Sequence, residues 1–372
     1  MAGEEARGSI QTRMLRAGLV GLPSSGKTTI FQLLTSAREA ARTHGKAEAN
    51  VGVSRVPDAR LDQLTAMFQP KKRTAATVEF ADMAAARGEA VSLLDVAAYR
   101  NADALLHVVR AFGDPMVPHP KETIDPVRDA RLIEDELILA DLGAVERRLD
   151  RLEKDLKKNP SADLKREQEL LLQGRTQLDG GRALRTLGLS MDDTRRLRGF
   201  QFLSAKPLLV VINLDENDVD AADHAAEKTG LADFLKETHA HALGVCAKIE
   251  LEIAQLEAAD AAAFLADLGL KESGLDRVIR AAYDLLGYIS FFTVGEDECR
   301  AWSIPRQTPA PEAAGAIHSD IQRGFIRAEV VPCDTLLRRG SLAACRDHGE
   351  LRLEGKDYIV VDGDVINFRH AT

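Results

Sequence analysis

The chain alternates between short apolar runs and stretches of helical periodicity. Leu15 to Leu22, Thr77 to Ala81, Ala104 to Arg110 (ALLHVVR) and Pro207 to Ile212 (PLLVVI) read as buried strands. A helix is expected to open at Lys27 and run through Phe31 and Leu34. Strands of this kind, separated by helices, predict an α/β fold with a mostly parallel sheet and helices on both faces. From about 131 to 203 the period changes. Ile138, Leu142, Val145, Leu149, Leu152 and Leu156 form a heptad seam, with Glu146, Arg147, Asp150, Arg151 and Lys154 on the other faces. Asn159-Pro160-Ser161 breaks that helix, and Leu164, Leu171 and Leu178 mark a return arm. The simplest reading is an antiparallel helical hairpin, the alternative an amphipathic helix laid on the main core. From about Ser290, YISFFTV, GFIRAEVV and DYIVVDGDVINF are strand candidates, predicting a small β-rich C-terminal module. The alanine-rich 254–266 segment reads as helix.

Composition narrows this picture only slightly. The chain has 372 residues, 45% hydrophobic and 29% charged, the balance of an ordinary globular protein large enough for two or three domains. A net charge of −9 argues against a protein built mainly to coat nucleic acid. Cys246, Cys299, Cys333 and Cys345 are scattered, with no CxxC pair and no metal-ligand spacing. No apolar run approaches the roughly 18 residues of a membrane span. The first thirteen residues are polar, so a flexible N-terminus, a possible alternative start at Met14 and a cytoplasmic location are the expectations.

The chemistry concentrates in GLPSSGKTT, residues 21–29. Gly21, four residues, then Gly26-Lys27-Thr28 is the spacing of a P-loop, set here between a strand and a helix. Glycines let backbone N–H groups turn toward a phosphate, and the following helix adds the positive end of its dipole. Gly21, Pro23, Ser24, Ser25, Gly26, Lys27, Thr28 and Thr29 are therefore the expected phosphate-binding set. Lys27 would bridge the β- and γ-phosphates and the Thr28 hydroxyl would ligand Mg²⁺. The bland alternative is a glycine turn with a solvated lysine.

A base site is expected where LLVVINLDE ends its strand. GTP-specific proteins usually carry NKxD there. Here Leu214 follows Asn213 where the lysine belongs, and Glu216 replaces the aspartate, which leaves adenine as open as guanine. The Cys246-Ala247-Lys248 triplet places Ala247 and Lys248 to pack beside the base.

Taken together, these segments resemble the YchF family of Obg-related, ATP-preferring P-loop NTPases. The resemblance runs from GLPSSGKTTIFQLLT and NVGVSRVPDARLDQL through HVVRAF, VVINLDEND and CAKIELEIAQL to FFTVGEDECRAWSI and EGKDYIVVDGDVINF. It implies a P-loop NTPase domain (14–130 and 204–288), a coiled helical insertion (131–203) and a C-terminal β-grasp TGS domain (289–372). It also implies ATP (or GTP) and Mg²⁺ as ligands, with Asn213 and Leu214 against adenine and Glu216 in an NxxE signature. Asp82 would stand behind the metal, and His119, in DPMVPHP, would assist hydrolysis unless it is merely a loop histidine flanked by prolines. A ribosome or RNA partner is implied through the TGS domain and the helical arm, where Arg147, Arg148, Arg151, Lys154, Lys157, Lys158, Arg195, Arg196 and Arg198 offer positive charge. Neither a membrane partner nor DNA sequence readout is implied.

The switch regions depart from the family pattern. Lys46 stands where a Mg²⁺-coordinating threonine is usual, and Ala85 replaces the γ-phosphate-sensing glycine in DMAAARGEA, leaving Gly88 alone downstream. Nucleotide binding with slow or lost hydrolysis is the expectation. The competing reading is a non-hydrolysing adaptor that presents the TGS domain to a protein or RNA partner.

Overall fold

The computed structural model describes residues 15–36, 49–83 and 96–371. The N-terminal thirteen residues, Lys46, Ala85 and Gly88 lie outside them. Two compact units emerge, Leu15–Ser54 with Glu79–Leu286, and Arg55–Val78 with Gly287–Thr372.

In the larger unit, β1 (Arg16–Val20), β2 (Ala49–Arg55), β4 (Thr77–Met83), β5 (Ala104–Ala111), β6 (Leu208–Leu214) and β7 (His241–Val245) form one sheet in the order β2-β4-β1-β5-β6-β7. The β4-β1, β1-β5, β5-β6 and β6-β7 pairs are all parallel. β5 and β6 are buried almost end to end, as strands covered by helices on both faces are, and in β5 that burial takes in His107 and Arg110. β1 stops at Val20 rather than Leu22, because Gly21 already has a φ of 150° and begins the loop.

The helix Pro126–Lys158 starts earlier than the 131 boundary read from the heptad seam. Pro126 suits the first helical turn, and the Asp125 side chain caps it by accepting from the Arg128 N–H. The two halves of this helix pack against different neighbours. Ile133 and Leu137 pack on the sheet with Val20, Leu105 and Leu208. Val145, Leu149 and Leu152 pack against Leu170, Leu171 and Leu178 of the return helix Ala162–Asp179. Between them Asp141, fully buried, accepts from the Leu203 and Ser204 N–H groups and the Ser204 hydroxyl. Burial pushes its carboxyl up, and these three donors oppose the shift.

The smaller unit holds a mixed sheet of β3 (Lys72–Thr74), β8 (Tyr288–Thr293), β9 (Glu298–Pro305), β10 (Phe325–Pro332), β11 (Arg352–Glu354) and β12 (Asp364–His370), in the order β11-β10-β12-β8-β9-β3. Its core joins Phe291, Ile304, Val330, Ile366 and Phe368 to the alanine-rich helix Ala310–Ile317. Two sequence expectations are corrected here. DYIVVDGDVINF is not one strand: only Asp364–His370 is, and Ile359 makes an isolated bridge to Pro309. Residues 55–78, grouped by sequence with the P-loop domain, belong to this unit. β3 pairs in parallel with β9, Lys71 N–H donates to the Glu296 carbonyl, and the Cys299 thiol faces the Leu64 carbonyl of the helix Ala59–Phe68.

Among the described residues no helix is long and apolar enough to cross a membrane.

Candidate functional site

The parallel sheet sets the site. At the carboxyl ends of β1, β5 and β6 the chain turns into loops that converge on one cavity of about 650 Å³, within the range of nucleotide-sized ligand sites. Ser24, Gly26, Lys27, Thr28 and Thr29 line one end. Asn213, Leu214, Asp215, Glu216, Cys246, Ala247, Lys248 and Leu251 line the other, with Phe112, Gly113, Asp114, Pro115 and Val117 as a side wall.

The phosphate loop is wound tightly by backbone geometry that glycine permits. Gly26 has a φ of 93°, and a Cβ there would lie 2.4 Å from the Asn213 amide nitrogen. Ser24 sits in the left-handed region at φ 62° without being glycine. Lys27 Nζ donates to the Gly21 and Leu22 carbonyls, both at 2.8 Å, so its ammonium is folded back over the loop. Burial pushes the Lys27 amine below its usual range, and nearby Asp82 opposes the shift. An arriving anion would favour the charged amine and give it better acceptors than two carbonyls.

The Thr28 hydroxyl donates to Asp82 Oδ2 at 3.2 Å. Burial raises the Asp82 carboxyl above the usual range, against the pull of Thr28 and Lys27. A hydroxyl beside a carboxylate, at the start of a ten-residue helix, is a hard-oxygen pair of the sort that suits Mg²⁺. The Ser25 hydroxyl is buried with no hydrogen-bond partner among the described residues, a polar group inside the loop with bonding capacity in reserve.

At the far end Asn213 ties the loops together. Its Nδ2 donates to the Ser25 carbonyl at 3.1 Å, and its Oδ1 accepts from the Ala247 N–H at 3.1 Å. The side chain expected against adenine thus spends its amide on the protein itself. Asp215 adds a second tie, accepting from Gly113 N–H and from Asn217. Glu216 Oε2 and Lys248 Nζ form a 2.5 Å ion pair, both half-exposed at the rim.

Of the residues expected from sequence, Ser24, Gly26 to Thr29, Asn213, Leu214, Glu216, Ala247 and Lys248 come together around the cavity. Gly21, Pro23, Ser25 and Asp82 do not line it; Gly21, Ser25 and Asp82 act from behind, through the bonds just given. His119 is placed elsewhere. Its side chain is only 3% exposed, with Nε2 bonded to Asp129 Oδ2 at 2.8 Å and Nδ1 accepting from the Lys121 N–H. Both ring nitrogens are therefore committed away from the cavity. Sequence reading missed Asp215 and the 112–117 wall, although Asp215 stands inside LLVVINLDE, where the base site is expected. It also missed Arg110, a buried charge near the end of β5.

The family model described as "YchF-GTPase_C: Protein of unknown function (DUF933)" matches residues 288–371. The protein named "Ribosome-binding ATPase YchF" in Bacillus subtilis (strain 168) is 40% identical over 362 residues, covering 95% of this chain and 99% of that one. Proteins of the same name in Pasteurella multocida (strain Pm70) and Escherichia coli O157:H7 are 39% and 38% identical, each covering 95% of this chain and 98% of their own length. The solved structure of the Schizosaccharomyces pombe YchF GTPase superposes with a TM-score of 0.82 at 26% identity, over 95% of this chain and 97% of that one. With relatives this similar along nearly the whole length of both chains, the chain belongs to the YchF family.

Proposed function

We propose that the protein is a nucleotide-binding, ribosome-associated ATPase that holds adenine nucleotides in the cavity between Lys27 and Lys248 and turns them over slowly. The observation that carries this reading is the assembled P-loop, with Lys27 poised over it, Thr28 against Asp82, and Asn213 bracing Ser25. In this reading the loop N–H groups and Lys27 hold the phosphates. Thr28, backed by Asp82, holds Mg²⁺, which when bound neutralises charge on the phosphate oxygens. Adenine is favoured over guanine because Glu216 is paired with Lys248, which competes with guanine's N1–H and exocyclic amine for the carboxylate. Leu214 offers the base an apolar contact where a guanine-binding protein has lysine. The ribosome as partner follows from the relatives' name, and a TGS-type role for the C-terminal unit follows from the resemblance in sequence.

Slow turnover rests on two features. Lys46 and Ala85 depart from the family's switch pattern, and His119 must break its bond to Asp129 before it can approach a γ-phosphate. That same bond favours the second reading, a non-hydrolysing adaptor in which bound nucleotide is a structural element. Single-turnover hydrolysis separates them. The ATPase reading expects slow cleavage that His119→Ala lowers further; no cleavage by wild type, with nucleotide still bound, would leave the adaptor.

A further inference from the structure

β5 carries one permanent cation into the interior. Arg110 is only 2% exposed, and its guanidinium bonds entirely to carbonyls. Nη1 donates to Ser24 O at 3.4 Å, Nη2 to Val117 O at 2.9 Å and Nε to Phe112 O at 3.1 Å, with the guanidinium 4.4 Å from the Phe112 ring centre. Among the described residues no carboxylate pairs with it. A buried cation that meets only neutral acceptors keeps much of its desolvation cost, and an anion nearby lowers that cost.

Its position says which anion. β5 and β6 are in register with Arg110 beside Asn213. Arg110 reaches the Ser24 carbonyl and Asn213 the Ser25 carbonyl, so two neighbouring strand ends hold two successive carbonyls of the phosphate loop. In a trans peptide the C=O and N–H point in opposite directions, so the bond from Asn213 turns the Gly26 N–H away from the strand end. The bond from Arg110 helps hold Ser24 in the left-handed turn that a side-chain-bearing residue adopts only at a cost. The other two arms of the guanidinium fix Phe112 and Val117, which line the cavity wall.

We propose that Arg110 is a positioning residue for the nucleotide, locking the phosphate loop and the 112–117 wall into one preformed cleft and setting an uncompensated positive charge behind the polyphosphate. The proposal rests on the nucleotide-binding reading above. It differs from a purely structural role in one respect: the contribution of Arg110 grows with the number of phosphates.

The test is calorimetric titration of the full-length wild type, Arg110→Lys and Arg110→Met with AMP, ADP and ATP, alongside thermal unfolding. Arg110→Met is expected to weaken ADP and ATP by about ten-fold or more, the scale of one lost charge-assisted contact, while AMP weakens far less. Arg110→Lys keeps the charge but loses the fork, and is expected to fall between wild type and Arg110→Met for ATP. Equal weakening of all three nucleotides, or wild-type ATP affinity in either variant, overturns the proposal. Should Arg110→Met fail to unfold cooperatively, the ATP-to-AMP ratio of Arg110→Lys decides alone. Wild type that binds none of the three would remove the nucleotide reading itself, and this proposal with it.

Discussion

Gly26 shows how a single position controls the site. A side chain there combines an unfavourable φ of 93° with a Cβ only 2.4 Å from the Asn213 amide nitrogen. Because that amide holds both Ser25 and Ala247, it cannot move without releasing two loops. Gly26→Ala is expected to destabilise the fold by roughly 1–3 kcal/mol and to weaken ADP binding by about ten-fold or more; calorimetry showing wild-type affinity would contradict the bracing role of Asn213. Glu250, in the helix Ala247–Ile253, gives a pH prediction. Its Oε1 accepts the Gly274 N–H at 2.6 Å, Asp276 and Arg277 are its charged neighbours, and Oε2 has no partner among the described residues. Burial first, then Asp276, push its carboxyl up to about 7. The unfolded chain releases this proton near pH 4.5 and the native state keeps it to about 7, so stability falls as pH rises across that window. Relative to wild type, Glu250→Gln should gain stability from pH 5 to pH 8, by up to about 3 kcal/mol. A difference independent of pH in parallel denaturation curves would refute the assignment.

Single elements serve both the site and the scaffold. The Lys27–Ser36 helix follows directly from the phosphate loop, and this was legible in sequence because the glycine spacing and the flanking apolar strand are local signals. β5 and β6 were legible for the same reason, since both are buried almost end to end and each carries a local cluster of Val, Ile and Leu. His119 was not. Its partner Asp129 lies ten residues on, in the first turns of the long helix, and nothing in the local pattern brings the two together. Arg110 was equally silent, because its acceptors are backbone carbonyls with no side-chain signature. The long helix itself divides its work. Leu152, fully buried against the return helix, is expected to cost roughly 2–5 kcal/mol on replacement by alanine. Because its contacts lie in the hairpin rather than at the cavity, ADP affinity should stay within about two-fold. A large loss of affinity would mean that the hairpin and the cavity are energetically coupled.

At the scale of the whole chain, alternating strands and helices were enough to foresee a parallel α/β sheet with a β-rich C-terminal unit. What escaped was the excursion of residues 55–78 into that second unit. β3 is three residues long and pairs with β9 more than two hundred positions away, a contact that leaves no periodicity behind. The division matters for function, since the cavity-lining residues all come from the larger unit. If the family role extends to this protein, the full chain should cosediment with ribosomes in sucrose gradients; free protein under low-salt conditions would count against it. The central claim is that the cavity holds adenine nucleotides. Calorimetric titration of the wild-type chain with ATP, ADP and GTP, with and without Mg²⁺, tests it most directly. Binding of ATP and ADP with GTP at least about ten-fold weaker, a difference of about 1.4 kcal/mol, is the predicted result. Selective binding of GTP, or no binding of any of the three, would contradict it.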